Sequence, residues 1–198
     1  MSISPFLKHR LKQVMRMLRI NLRPIRPARR TMGDFTKFLA ERGFRPATVI
    51  DVGVADGTLE LYSPFPAAKL LLVEPMREFG PAITAILKRH GGRAFEVAAG
   101  AETGELAIAF NDGVAAAHNA AFTGEVEAGR QTRMIPVRRL DDLVVEAAMP
   151  GPYLLKVDVE GFECEVLKGA SKVLEDADVV SWRPPSTGST AAARSSTR

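Results

Sequence analysis

Asp51-Val52-Gly53-Val54-Ala55-Asp56-Gly57 puts two glycines and two flanking acids into seven residues, directly after the apolar run Thr48-Val49-Ile50. Gly53 and Gly57 lack side chains, which lets the backbone turn sharply and lets a ligand come close to it. Seventeen residues after Gly57, Glu74 closes the next apolar run, where a carboxylate can accept both hydroxyl hydrogens of a ribose. Pro75 restrains Glu74 to an extended backbone and so holds that carboxylate in place. The spacing is D-x-G-x-x-x-G, not the G-x-G-x-x-G whose glycines admit a pyrophosphate. Asp51 and Asp56 would repel a pyrophosphate and suit a ligand with an ammonium group and no phosphate, a description that S-adenosylmethionine meets. A nicotinamide cofactor is the less favoured occupant. Singly, Asp51 as a turn cap and Glu74 as a solvated strand end are the plain alternatives, and their joint placement argues against both.

A second constellation lies in Tyr153-Leu154-Leu155-Lys156-Val157-Asp158-Val159-Glu160-Gly161. Lys156, Asp158 and Glu160 alternate with valines, so strand geometry puts all three on one face. Charges on so apolar a strand are costly to bury unless paired or functional. They fall at the carboxyl end of their strand, beside the first turn in the usual strand order.

The elements that must position these groups follow from periodicity. A short helix over 33–43 leads into a strand at 48–52, whose continuous apolar character predicts burial on both faces. Beyond the turn, the pattern predicts a strand at 70–73, a helix from about 77 to 89, and strands at 94–98 and 106–110. Residues 111–133 show no clear period and read as a loop over one edge of the site. A strand at 135–139, a helix at 141–148, a strand at 153–159, a helix at 162–176 and a last strand at 177–180 complete the series. Alternation of strands and helices specifies an α/β fold with a doubly wound, mostly parallel sheet of Rossmann-like type.

Taken together, Val49 to Gly57, Val73-Glu74-Pro75, Arg139-Leu140-Asp141-Asp142-Leu143 and the stretch from Leu155 to Ala170 resemble the FkbM family of methyltransferases. The last block is the specific one, and the resemblance covers roughly residues 33–180. It implies a class I methyltransferase fold that uses S-adenosylmethionine and acts on hydroxyl groups of sugars or polyketide-like natural products. By that resemblance Asp51, Gly53, Gly57 and Glu74 hold the cofactor, and Lys156, Asp158 and Glu160 line the acceptor side; Val54, Asp56 and Pro75, beside them in sequence, are further cofactor-side candidates. An alcohol is a poor nucleophile, so methyl transfer to it needs in-line positioning and a base for the departing proton. Asp158 is the first choice of base; as a helix cap or an ion-pair partner of Lys156 it would have a structural role instead. His118, beside Asn119 in the 111–133 loop, is a weaker candidate. Asp158 and Glu160 offer oxygen ligands, but no His or Cys cluster accompanies them and no metal is expected. Cys164 reads as packing, and Trp182 has no evident site.

Composition bounds the rest. With 198 residues and 46% hydrophobic content, the chain can bury one substantial core and reads as a single domain. One cysteine permits no internal disulfide and suggests a reducing, cytoplasmic setting. The net charge of +4 conceals an asymmetry: nine of the 27 basic residues lie in residues 1–30 with no acid, leaving 18 against 23 acidic residues beyond. The basicity belongs to a leader, 1–32, and the pattern calls for no nucleic-acid partner. No apolar run reaches the roughly 18 residues of a membrane span. Cations interrupt the leader too often for a secretory signal.

Within the leader, Leu7, Leu11, Val14, Leu18, Leu22 and Ile25 share one helix face, so residues 5–26 can pack on the domain or a partner protein, or lie on anionic lipid. Leu18-Arg19-Ile20-Asn21 blurs the apolar face and favours packing. After Val180 the sequence contains no Ile, Leu, Val, Phe or Met, which predicts a disordered tail over 181–198. Such a sudden change is what a reading-frame change or premature end produces. The expected domain, 33–180, would then lack its C-terminal strands, expose the 177–180 strand as an apolar edge, be marginal in stability and be impaired in catalysis. A non-catalytic remnant that binds S-adenosylmethionine or a partner is the competing reading. For the leader, flotation of a peptide of residues 1–30 with acidic vesicles at low salt is the check. Packing predicts no binding, and retention on the vesicles would favour the lipid reading.

Overall fold

The computed structural model describes residues 31–110, 131–159 and 161–182. In chain order the elements are α1 (Met32–Glu41), β1 (Thr48–Val52), α2 (Leu59–Tyr62), β2 (Lys69–Val73), a single 3-10 turn Arg77–Phe79, α3 (Gly80–His90), β3 (Gly92–Phe95) and β4 (Ala98–Ala99). They continue with β5 (Gly104–Phe110), β6 (Gln131–Arg138), α4 (Leu140–Ala147), β7 (Tyr153–Val157), α5 (Glu163–Lys168), α6 (Ser171–Glu175) and β8 (Ala177–Trp182). Residues 1–30 of the leader, residues 111–130, Glu160 and residues 183–198 lie outside the described residues.

Continuous apolar strands need cover on both faces, and the main sheet has it. Its order is β3-β2-β1-β7-β8, with every neighbouring pair parallel. Alternate residues divide the cover. Ile50, Val52, Leu71, Val73, Leu155 and Val157 pack with Leu140, Leu143 and Val144 of α4, Val166 of α5 and Val173 of α6. Val49, Leu70, Leu72 and Leu154 pack on the other face with Leu61 and Tyr62 of α2 and Ile86 of α3, and Leu39 of α1 closes over them. This is the doubly wound α/β architecture expected from the alternation of elements.

Several elements differ in extent or partner from the periodicity reading. The predicted strand 94–98 is two strands, because the chain leaves β3 after Phe95 and re-enters a second sheet at Ala98. That sheet has the order β4-β6-β5, with β5 and β6 antiparallel, so the strands foreseen near 106–110 and 135–139 pair with each other outside the main sheet. Apolar runs reveal burial but not which sheet buries them. The predicted helix 77–89 opens with the 3-10 turn, and Pro81 then starts α3. The strand expected over 153–159 stops at Val157, which leaves Asp158 in the loop beyond it. The helix expected over 162–176 is two short helices broken at Gly169. A Cβ on Gly169 would lie 1.9 Å from the Gly100 carbonyl oxygen, so close backbone approach requires glycine there.

The Arg139-Leu140-Asp141 block has a structural task. Asp141 is buried, and its Oδ1 accepts the Lys172 and Val173 N–H groups at 3.0 and 3.1 Å. Its Oδ2 accepts from the Ser171 hydroxyl and from Arg139 Nη2, each at 3.1 Å. A residue of α4 thus caps α6, satisfying donors that a helix leaves orphaned. Among the described residues β8 pairs only with β7, and Val179 and Val180 are partly buried against the two faces. No helix among the described residues is long and apolar enough to cross a membrane. Replacing Asp141→Ala should lower stability by about 2 kcal/mol, since it removes a cap and strands buried N–H groups. Urea denaturation checks this, and a loss below about 0.5 kcal/mol would contradict the capping role.

Candidate functional site

The carboxyl ends of β1, β2 and β7 converge, and register decides what meets there. Asp51 on β1 lies beside Lys156 on β7, on the same sheet face. Lys156 Nζ donates to Asp51 Oδ1 at 2.8 Å and to the Gly53 carbonyl at 3.2 Å. The Tyr62 hydroxyl donates to Asp51 Oδ2 and accepts the Thr58 N–H at 3.2 Å. Asp51 is wholly buried with both oxygens engaged, and its carboxylate is linked to the turn through Lys156 and Tyr62. Burial first, and then the Asp51 carboxylate, push the Tyr62 hydroxyl far above its ordinary ionisation range, so it serves as a neutral donor.

The turn itself extends the sheet by one hydrogen bond on each side. Gly53 N–H donates to the Val73 carbonyl and Asp158 N–H to the Val52 carbonyl, both at 2.9 Å. Gly53 has φ +80°, and a Cβ on it would lie 2.0 Å from the Asp158 carbonyl oxygen. Its first requirement is thus the chain's own backbone. Gly57, at φ +96°, lies where a Cβ would meet the Ile86 side chain at 2.4 Å. Val54 is buried in the core, while Asp56 is exposed at the tip. Because Lys156 balances Asp51, the repulsion of a pyrophosphate expected from the sequence rests on Asp56.

Glu74 stands across from the turn, 6% exposed, just past β2 and before the half-buried Pro75. Its Oε2 accepts the Ala55 N–H and its Oε1 the Met76 N–H, each at 2.9 Å. Burial raises the Glu74 carboxyl above its ordinary value, and the two amides oppose that rise. A carboxylate oxygen has two acceptor sites, so each keeps capacity for one more donor. Asp158, about one-fifth exposed, has Oδ2 3.8 Å from Lys156 Nζ, beyond hydrogen-bond length but within Coulombic reach.

The structure thus gathers Asp51, Gly53, Val54, Asp56, Gly57, Glu74, Pro75, Lys156 and Asp158 at one end of the main sheet. Glu160 and His118 lie outside the described residues. Lys156, expected to line the acceptor side, is buried against Asp51 and the turn, with its ammonium 3.8 Å from Asp158 Oδ2. Sequence reasoning passed over Tyr62, which occupies a four-residue helix too short to show a period. It also assigned nothing to Glu163, whose buried carboxylate accepts the Gly161 N–H at 3.0 and 3.1 Å and braces the loop after Asp158. The Glu-Gly-Phe-Glu spacing was the available signal.

Tyr62→Phe keeps the ring and removes one donor to a buried carboxylate, so it should cost about 2 kcal/mol in denaturant-measured stability. An unchanged midpoint would mean that Asp51 does not depend on the phenol. No curated protein and no solved structure matches the chain. The model of the methyltransferase FkbM domain matches residues 51–184, a span that opens on Asp51 and contains every residue of this site, and the chain belongs to the FkbM methyltransferase family.

Proposed function

We propose that this methyltransferase transfers a methyl group from S-adenosylmethionine to a hydroxyl of a sugar or other natural-product acceptor. The observation that carries the donor assignment is Glu74: a buried carboxylate, fixed by the Ala55 and Met76 amides, with acceptor capacity for two further donors. A ribose presents two adjacent hydroxyls, and a fixed acceptor aligns them with little loss of freedom on binding. The residues present therefore fit a nucleoside with a free ribose.

When bound, S-adenosylmethionine supplies a methyl group on a positively charged sulfur. The chain's own residues do the rest. Glu74 orients the ribose, and the Gly53–Gly57 turn shapes the wall beside it. Asp158, held over Gly53 by its backbone, is the proposed base that takes the proton from the acceptor hydroxyl. Lys156 and Asp51 position the turn and the start of the Asp158 loop. A small-molecule acceptor is the partner this arrangement suits, and the single cysteine of the sequence suits a reducing, cytoplasmic setting.

Calorimetry of the full chain with S-adenosylmethionine tests the donor assignment. Glu74→Ala should weaken binding about tenfold to a hundredfold, the worth of hydrogen bonds to a charged acceptor. Burial raises the Glu74 carboxyl above its ordinary value in the folded chain, and ribose hydroxyls favour its ionised form. Affinity should therefore fall as pH drops through that raised value, with proton release on binding, and Glu74→Gln should flatten the dependence. Absence of binding in the unmutated chain would overturn the donor assignment. A labelled-methyl assay over sugars and hydroxylated small molecules, with Asp158→Asn as control, addresses the acceptor.

A further inference from the structure

The two amides that hold the Glu74 carboxylate belong to residues packed on the second sheet. Met76 is buried with Phe79, Ala98, Ile108, Ile135 and Val137, and Ala55 packs against the same cluster. Ile108 lies on β5 and Ile135 and Val137 on β6, so the antiparallel β5–β6 arm backs both hydrogen bonds of Glu74. A charged clamp fastens the arm to this segment. Arg133 of β6 donates through Nη1 to Glu78 Oε2 at 3.0 Å and through Nη2 to Glu78 Oε1 at 2.7 Å. Glu78 sits four residues beyond Glu74 in the 3-10 turn, and both partners of the pair are about one-fifth exposed. The paired guanidinium also holds the Glu78 carboxyl below its ordinary range.

A planar fork binding both carboxylate oxygens fixes orientation as well as distance, which a single ion pair does not. We propose that Glu78 and Arg133 are positioning residues for the donor site: by clamping the β5–β6 arm onto the 75–79 segment they set where Ala55 and Met76 present the Glu74 carboxylate to a ribose. Neither side chain needs to touch the ligand. The clamp links the strand end that carries the ribose acceptor to an arm lying outside the main sheet, so displacement of the arm loosens Glu74. The inference rests on the reading of Glu74 as the ribose acceptor.

Calorimetry of the full chain with S-adenosylhomocysteine and its 3′-deoxy counterpart separates the two claims. The ratio of the two affinities reports the ribose contact, which general destabilisation does not change. Arg133→Met and Glu78→Gln should each weaken S-adenosylhomocysteine binding about threefold to thirtyfold, the span of indirect coupling, and shrink the ratio. Glu78→Arg combined with Arg133→Glu should restore part of both. If Glu74→Ala abolishes the ratio while the Glu78 and Arg133 variants keep the unmutated affinity and ratio, the inference is overturned and the ribose reading stands. If the unmutated chain binds neither probe, or Glu74→Ala leaves the ratio intact, the ribose reading falls and the inference with it. Should a clamp variant not fold, hydrogen exchange on the unmutated chain decides: S-adenosylhomocysteine should slow exchange in β6 more than in β8, and equal slowing would overturn the clamp's role.

Discussion

The ion pair between Asp51 and Lys156 is the constraint on which the site end of this fold depends. A carboxylate at the centre of a sheet covered on both faces is costly to desolvate, and loss of one partner of such a pair costs about 3–5 kcal/mol. The parallel register of β1 and β7 supplies the partner directly, because position 51 lies beside position 156 on the same face. The ammonium then has donors left over, and one of them holds the Gly53 carbonyl. Tyr62 closes the other side. A single buried charge thereby ties together the end of β1, the turn, the short helix after it and the end of β7.

Much of this was readable in the sequence, for identifiable reasons. β1, β2 and β7 were visible because two-sided burial demands unbroken apolar runs, and the Asp51–Gly57 and Glu74-Pro75 groups stand where such strands end. The second sheet was harder. β5 and β6 pair across an interval of twenty residues, and nothing in a local pattern distinguishes an arm from another strand of the main sheet. Asp141 looked like part of a motif, but its function as a cap depends on α6, thirty residues away. Lys156 was noticed correctly as an unusual charge on an apolar strand. What its ammonium bonds is not a local property, because Asp51 and the Gly53 carbonyl reach it from β1 and the turn, more than a hundred residues away in sequence.

Membership of the FkbM methyltransferases and the geometry answer different questions. The family match gives methyl transfer as the chemistry. The geometry places a carboxylate held by two amides on one side of a glycine turn and a second carboxylate just past β7. Folds of this kind host many acceptors, so acceptor identity is carried by the loops and not by the sheet.

The contact between Gly53 and the Asp158 carbonyl means that the walls on the two sides of the site share one surface with no room between them. Position 53 cannot acquire even a methyl group unless the loop after β7 retreats, and that loop cannot advance while the turn keeps its course. Any side chain at 53 is therefore conditional on movement of the 158 backbone. For anyone altering the enzyme, 53 and 158 form a single backbone unit, and variation that changes what the pocket accepts has to enter through neighbouring loops that leave this seam untouched.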